Sequence, residues 1–284
     1  MTVSLDKKGT TTNIRKSRMG LVEGYFDTQA GYWSKAYQKP ELVNDFVLID
    51  RKNIAVDFAS TYLRPGSTVL DAGCGAGLTI LDLVQRGFFV HGVDLSQEMI
   101  GLCRKNLTQQ GIKQNDYLLT KRDVLNGDFS ENSFDGILAL GFLQYQKDEL
   151  KSLHALHKLL KPGGILVLSG PVKIKLSQYF GLAKIYHAFR RRIIRTKFPQ
   201  GASVLRQIST HGYGVGRFKT LLENSNFEFL DYKGHGFVHF AILQDLTSKG
   251  QHFLHRFFTQ LSKFLPIGRF GNDMVVAARK KADL

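Results

Sequence analysis

The chain has little cysteine, little proline and no long apolar run. Its 284 residues include 6 prolines and two cysteines, Cys74 and Cys103, neither of which belongs to a Cys-x-x-Cys motif. A disulfide-stapled secreted domain and a thiolate metal site are therefore not expected. No uncharged apolar run is long enough to span a bilayer, and the polar N-terminus lacks the apolar centre of a secretory signal. These absences favour a cytoplasmic protein without a metal site.

Acidic residues are scarce in the C-terminal part of the chain. Residues 61–170 carry 11 Lys/Arg and 11 Asp/Glu, whereas residues 171–284 carry 19 Lys/Arg and 6 Asp/Glu, so most of the net charge of +15 lies there. Such asymmetry concerns partners and location more than fold.

The most informative stretch reads VLDAGCGAG and spans residues 69–77. A strand is predicted to end at Asp71, followed by a turn with three alternating glycines and a helix from Leu78. Such a turn brings bare backbone N–H groups and a helix N-terminus against a ligand. The next predicted strand ends at Asp94, which can accept hydrogen bonds from ribose hydroxyls. Together the two motifs predict a site for a ligand that contains a nucleoside.

The glycine spacing excludes a dinucleotide fingerprint. That fingerprint is Gly-x-Gly-x-x-Gly, but Leu78 stands at its third glycine counted from Gly73, and Ile80 stands there counted from Gly75. Asp71 would also repel a pyrophosphate, and it suits a cationic ligand with a free amino group.

Through these residues the chain resembles the class I S-adenosylmethionine (SAM) dependent methyltransferases. The resemblance rests on five motifs in chain order: the Asp71-x-Gly73-x-Gly75-x-Gly77 turn, Asp94, Asp123 in KRDV, SFDGILALGFLQY at 133–145 and LLKPGGILVLSG at 159–170. It implies an α/β fold with a seven-stranded Rossmann-like sheet and helices on both faces, in which the last strand enters antiparallel between the fifth and sixth. It also implies SAM as the cofactor.

Alternating strand and helix patterns predict the elements of a mostly parallel sheet. Strands are predicted over residues 67–71, 88–94, 116–121, 134–140, 165–169, 227–232 and 273–278. Helices are predicted within 20–60 and over 78–85, 97–109, 147–160 and 215–224. Ser96 is expected to cap the 97–109 helix and Gly111 to close it. Residues 161–164, KPGG, are predicted as a turn.

The predicted organisation is a core with added segments. Residues 20–64 are predicted as an N-terminal helical lid, although a helix packed on the sheet edge would explain the same aromatic residues. The other segments are a flexible N-terminus (1–19), a SAM-binding Rossmann-like core (65–171), two basic helical cap segments in the C-terminal half (172–212 and 234–268), and two stretches that complete the sheet (213–233 and 269–284).

The resemblance implies roles for residues around the first strand. Asp71 is expected to contact the amino end of the methionine moiety, and Gly73 and Gly75 to let the backbone approach the ligand. Gly77 is assigned to helix–strand packing. Leu140, at the end of the fourth strand, is expected near the sulfonium.

Further residues are assigned to the nucleoside. Asp94 is expected to bind the ribose hydroxyls, and Leu95 and Met99 to flank the adenine, although Met99 suits a core position equally well. Asp123 is expected to accept a hydrogen bond from the adenine amino group, with a plain turn acid as the alternative. Val124 would supply a backbone N–H.

Methyl transfer depends mostly on alignment of nucleophile, methyl group and leaving sulfur. A base is needed only for an oxygen or carbon nucleophile. The candidates are Tyr145, His211 and His235, although a histidine chosen in this way is more often structural.

The basic C-terminal segments combine cationic and large apolar residues. GLAKIYHAFRRRIIRTKF (181–198) and HFLHRFFTQLSKFLPIGRF (252–270) resemble amphipathic helices, which suit an anionic membrane surface. A cap with simply solvated charges is the alternative. The predicted acceptor is a small or lipid-like apolar molecule, with O- or C-methylation favoured over N-methylation. Oligomeric state is left open.

An RNA methyltransferase is the alternative function, with the basic segment on phosphates. Two features disfavour it: the basic residues alternate with large aliphatic ones, and no Asn-Pro-Pro-Tyr motif follows the fourth strand. A non-enzymatic scaffold is a third reading, but its expected loss of the glycines and acids is not seen.

Overall fold

A computed structural model describes residues 17–38, 43–172, 212–236, 250, 252–253, 256–257, 259–261, 271 and 273–282. For residues 33–38 and 43–44 only the backbone is described. Most of the two predicted cap segments therefore lies outside the described residues, and so does His211.

Strands and helices alternate through the central part of the chain, as predicted. The helices are α1 (Arg18–Gln38), α2 (Val43–Tyr62), α3 (Leu78–Gln85), α4 (Gln97–Gln109), α5 (Glu149–Leu159) and α6 (Val215–Glu223). The strands are β1 (Thr68–Ala72), β2 (Phe89–Asp94), β3 (Tyr117–Lys121), β4 (Phe134–Ala139), β5 (Leu160–Pro171), β6 (Phe227–His235) and β7 (Asp273–Lys280). Short 3₁₀ turns at Gln114–Asp116 and Leu143–Tyr145 precede β3 and follow β4.

The strands form one seven-stranded sheet in the order β3-β2-β1-β4-β5-β7-β6. All neighbours are parallel except β7, which pairs antiparallel with both β5 and β6. The predicted seven-stranded α/β sheet is confirmed, including the entry of the last strand between the fifth and the sixth, whereas the basic cap stays a prediction. Chain order reverses between β1 and β4, and in open α/β sheets ligands bind at the carboxyl ends of the strands beside such a point.

The sheet is buried on both faces, which explains its continuous apolar strands. Residues such as Leu70, Ile137 and Val276 face a core shared with α5 and α6. Val69, Leu138 and Val275 face the opposite core, which contains residues of α2, α3 and α4. Because α2 packs on this second face, it lies across the sheet and not only at its edge.

Two strand boundaries differ by three residues or more from the sequence-based expectation. Residues 161–164, predicted as a turn, lie within β5, because the strand continues through a bulge: Phe134 pairs with Leu160 and Gly136 already with Ile165. Strand β6 runs three residues beyond its predicted end, so Gly234 and His235 belong to the sheet and not to the cap.

A membrane-spanning helix is not found in the described part of the chain, because none of its helices is both long and apolar enough to cross a bilayer.

Candidate functional site

A cavity opens at the carboxyl ends of β1, β2, β3 and β4, bordered by α1 and α2. Helix α1 contributes Val22 and Phe26 to its wall, and α2 contributes Leu48 and Arg51. The cavity brings together ten of the residues predicted from the sequence: Asp71, Gly73, Gly75, Asp94, Leu95, Met99, Asp123, Val124, Leu140 and Tyr145.

The turn after β1 leaves open space in front of its backbone. Gly73 and Gly75 have φ values of 79° and 50°, in the left-handed region that favours glycine. A Cβ built on either residue meets no atom within 4 Å. The N–H groups of Gly73 and Cys74 both donate to the carbonyl of Val93, at 2.8 and 3.0 Å, which holds the turn against β2.

Gly77 serves packing and does not line the cavity. Its φ is 82°, and a Cβ there would lie 2.3 Å from Sγ of Cys103 on α4. The glycine therefore allows close contact between the start of α3 and α4, where helix–strand packing was expected from the sequence.

The carboxylate of Asp94 is fixed by two backbone donors. Gly75 N–H donates to Oδ2 and Ser96 N–H donates to Oδ1, both at 2.9 Å. Burial raises the pKa of Asp94, and these two hydrogen bonds oppose the rise. Each oxygen keeps a lone pair that can accept from a ligand hydroxyl.

Asp71 is the most buried acid of the site, with a relative exposure of 2%. Among the described residues, its Oδ2 atom is buried and has no hydrogen-bond partner. Burial raises the pKa of Asp71 to about 7, the negative charge of Asp94 adds to the rise, and the Arg51 guanidinium opposes it. A buried carboxylate oxygen without a donor fits a cationic ligand group such as an ammonium.

Arg51 was not predicted from the sequence. It extends from α2 into the cavity wall, where a Cβ on Gly141 would lie 3.0 Å from its Nη1 atom. The same Nη1 atom lies 3.8 Å from Oδ2 of Asp273, the first residue of β7. No local motif marks this arginine, because its position depends on how α2 packs across the sheet.

The carboxylate of Asp123, which follows β3, accepts hydrogen bonds from residues of its own turn. Leu125 N–H donates to Oδ1 of Asp123 at 3.0 Å, and the Asn126 amide donates to Oδ2 at 2.7 Å. This is the geometry of the plain turn acid considered above. Asp123 and the buried Val124 nevertheless both line the cavity.

Tyr145 ends the 3₁₀ turn after β4 and faces α1. Its ring lies 5.7 Å from that of Phe26, edge to face, and Arg18 donates to its carbonyl at 3.0 Å. Burial raises the pKa of the Tyr145 hydroxyl, so the side chain is a neutral phenol near pH 7.

Helix α1 is also held by polar contacts beside β2 and β3. Ser96 donates to Oδ1 of Asp27 at 2.5 Å, and Lys121 pairs with Glu23 at 2.8 Å. The helix thus covers the cavity on the side of the predicted adenine pocket.

His235 does not line the cavity. The residue is 3% exposed, and its Nε2 atom lies 3.9 Å from Oδ2 of Asp273. Across the described ranges, no group of three or more His, Cys, Asp or Glu residues could hold a metal ion.

Residues 69–164 match the family model of the methyltransferase domain. A ubiquinone biosynthesis O-methyltransferase from Azoarcus is 35% identical over 104 residues, which is 37% of this chain and 44% of that protein. Phosphoethanolamine N-methyltransferase 2 from Caenorhabditis elegans is 33% identical over 107 residues, 37% of this chain and 24% of the relative. The chain thus spans less than half the length of these curated relatives.

A solved structure is similar over most of the chain. It is magnesium protoporphyrin IX methyltransferase from Synechocystis with bound S-adenosylhomocysteine (SAH), which has a TM-score of 0.62 and 19% identity. The alignment covers 93% of this chain and all of that one. At this identity the similarity establishes the fold.

Proposed function

We propose that the protein is a SAM-dependent methyltransferase, which transfers the methyl group of SAM to an oxygen or carbon atom of a small, largely apolar acceptor. The match of residues 69–164 to the methyltransferase domain supports this proposal. The observation that carries the proposal is the buried Oδ2 atom of Asp71, which has no hydrogen-bond partner among the described residues and lies in a cavity beside a glycine turn.

The methionine end of the cofactor matches the charges around Asp71. An amino acid carries an ammonium and a carboxylate, and the cavity offers Asp71 for the first and Arg51 for the second. Arg is suited to carboxylate because its planar guanidinium can donate two parallel hydrogen bonds. The open space at Gly73 and Gly75 leaves room for the ligand chain between them.

The nucleoside end matches the acids after β2 and β3. Asp94 is held by backbone donors in an orientation that leaves lone pairs for the ribose hydroxyls. Leu95 and Met99 offer apolar surface for the adenine, with Asp123 and Val124 at its polar edge. Like Asp94, Asp123 accepts one hydrogen bond on each oxygen, so each of its oxygens keeps a lone pair for the adenine amino group.

When bound, the cofactor supplies an activated methyl group on a sulfonium. The chain contributes alignment and exclusion of water, which can provide most of the rate acceleration. Leu140, Gly141 and Tyr145 border the cavity where the acceptor would approach after β4, under Phe26 of α1. Since Tyr145 is a neutral phenol, it suits donation of a hydrogen bond to the acceptor better than removal of a proton.

The acceptor class is inferred from the relatives and the cavity wall. Several of the curated relatives are named ubiquinone biosynthesis O-methyltransferases, and Phe26, Leu48 and Phe142 give this cavity an apolar wall. We therefore favour a phenol or catechol with an apolar substituent. The relatives reported above are named for ubiquinone and phosphoethanolamine, so the RNA alternative gains no support from them.

The test is methyl transfer from SAM labelled in the methyl group to a panel of phenols and catechols with alkyl substituents, with primary amines and RNA as comparison acceptors. Label is expected in the phenolic products and lost in Asp71→Asn. Asp57→Asn, which changes an exposed acid on α2 that pairs with Arg86, is the matched control and should keep the activity. Transfer to RNA alone, or equal transfer by both variants, would overturn the proposal.

We also propose that the protein makes a peripheral contact with a membrane. Phe253 and Phe257, spaced like neighbours on one face of a helix, are 69% and 51% exposed. Next to them His252 stacks on Phe46 of α2, with ring centroids 4.5 Å apart, which holds His252 against this helix. The basic composition of residues 171–284 complements an anionic lipid surface, where exposed Phe can insert and Arg256 can meet headgroups.

Co-sedimentation tests this contact with vesicles of phosphatidylglycerol and phosphatidylcholine against vesicles of phosphatidylcholine alone. The wild type is expected to bind the anionic vesicles, and Phe253→Ser with Phe257→Ser to bind them several-fold less. Leu118→Ser, which changes a 49%-exposed leucine on β3, is the control. Equal binding to both vesicle types, or no binding, would refute the membrane contact.

A further inference from the structure

Asp273 lies outside every motif that predicted the site. Its carboxylate lies near the guanidinium of Arg51 and the imidazole of His235. Its Oδ2 atom is 3.8 Å from Nη1 of Arg51 and 3.9 Å from Nε2 of His235. Its Oδ1 atom accepts from the N–H of Met274 at 2.9 Å. The carboxylate is therefore oriented by its own strand, with one oxygen directed to the arginine that borders the cavity.

The strand geometry fixes this aspartate at the carboxyl edge of the sheet. Asp273 begins the antiparallel strand β7, and its register partners are Pro171, the last residue of β5, and His235, the last residue of β6. A Cβ on Gly271 would lie 2.4 Å from the carbonyl oxygen of His235, so the chain enters β7 in close contact with the end of β6. The position of the carboxylate is thus set by three strand ends.

The charges of Asp273 and Arg51 affect the pKa values of residues that line the cavity. The Arg51 guanidinium opposes the rise in the pKa of Asp71, and the pKa of Tyr145 responds to both Arg51 and Asp273. The Arg51 guanidinium therefore interacts electrostatically with Asp71 and forms an ion pair with Asp273. Both partners of the Arg51–Asp273 pair are largely buried, with side chains 15% exposed, so solvent screens the pair only in part.

We propose that Asp273 is a positioning residue, which holds the guanidinium of Arg51 where it binds the carboxylate of the methionine moiety. The inference rests on the proposed function, because it requires the cofactor to lie in this cavity. It joins β7 to α2, and both to one end of the ligand. An arginine held by a carboxylate loses less conformational entropy when a ligand binds, which increases affinity.

The alternative is that the pair only holds α2 on the sheet. The two hypotheses predict that loss of the pair weakens the binding of different ligands. A positioning residue matters only for a ligand that carries the carboxylate, whereas a structural pair would affect every ligand of the cavity alike. SAH carries the amino-acid group, and 5′-methylthioadenosine has the same nucleoside and sulfur without it.

The experiment is titration calorimetry of both ligands with the wild type, Asp273→Asn and Arg51→Met. Asp273→Asn is expected to weaken SAH binding about tenfold, a typical coupling between groups in one polar network. Binding of 5′-methylthioadenosine should change less than twofold. In the double variant, Asp273→Asn should add little to the loss caused by Arg51→Met. Asp57→Asn, which breaks the α2 pair with Arg86 away from the cavity, should leave both affinities unchanged.

The outcomes separate the two proposals. If the wild type binds neither ligand, the proposed function fails. If the wild type binds SAH but Asp273→Asn binds it equally well, or weakens both ligands by the same factor, the positioning role is wrong while the proposed function stands. Thermal unfolding of each variant identifies misfolding, and Asp273→Glu then provides a variant that keeps the charge and should recover part of the SAH affinity.

Discussion

The N–H of Gly75 donates to Oδ2 of Asp94 at 2.9 Å, which joins the glycine turn after β1 to the acid that ends β2. Two motifs separated in the sequence are therefore one structural unit. A ligand that uses the Asp94 carboxylate also lies against the open backbone of Gly73 and Gly75, and Ser96 N–H fixes the other oxygen of the same carboxylate.

Gly77 and Gly101 provide a matched pair of glycine-to-alanine substitutions. Gly77→Ala should destabilise the protein by about 1–3 kcal/mol, because its backbone is left-handed and the new Cβ would lie 2.3 Å from Sγ of Cys103. Gly101→Ala should stabilise it by about 0.5–1 kcal/mol, because Gly101 lies within α4 with open space around it. Urea unfolding measures both, and a stable Gly77→Ala would contradict the packing role.

Binding of SAH should depend on pH through Asp71. The pKa of this acid is about 7, so its ionised fraction rises as the pH rises through neutrality. The ligand ammonium favours the ionised form, and affinity should increase by at most about tenfold from pH 6 to pH 8, with release of roughly half a proton near pH 7. Calorimetry in two buffers of different ionisation enthalpy measures that proton. Asp71→Asn should show neither effect, and an unchanged profile in this variant would assign the titration to another group.

Ser96 joins the start of α4 to helix α1. Its Oγ accepts from Met99 N–H at 3.0 Å and donates to Asp27 of α1. Ser96→Ala should cost about 1 kcal/mol of stability through the lost cap, and it should increase hydrogen exchange in residues 18–32.

The control for this variant is Asp148→Ala. Asp148 caps α5 by accepting from Lys151 N–H at 2.9 Å, and this contact does not involve α1. A comparable loss of stability with unchanged exchange in α1 is expected. Faster exchange in both variants would indicate a general destabilisation and not a specific loss of the contact between Ser96 and α1.

Local signals explain which parts of the structure could be predicted from the sequence. Helices α3 and α4 have their predicted bounds, because the glycine turn, the Ser96 cap and the stop at Gly111 are short-range features. The prediction of a turn at KPGG was wrong, because these residues lie in a bulge of β5 where it pairs with β4. Pairing between two strands cannot be predicted from the sequence of one of them.

Site residues at or after strand ends could be predicted from the sequence. Site residues that depend on the packing of a helix across the sheet could not. Asp71, Asp94 and Asp123 come directly after or at the ends of parallel strands, so the sheet collects them at one edge. Arg51 and Asp273 come together only because α2 packs across the sheet as far as β7. Their pairing joins positions far apart in the chain, and no periodicity or motif in either segment indicates it.

The proposed function requires that the carboxyl ends of β1 and β2 hold a sulfur-containing nucleoside. Titration calorimetry of the purified protein with SAH tests it most directly. The wild type is expected to bind one molecule of SAH, and Asp94→Ala to bind it at least about tenfold more weakly, because hydrogen bonds to charged groups contribute roughly 1.5–3 kcal/mol. No detectable binding by the wild type, or equal affinity in a folded Asp94→Ala variant, would contradict the claim.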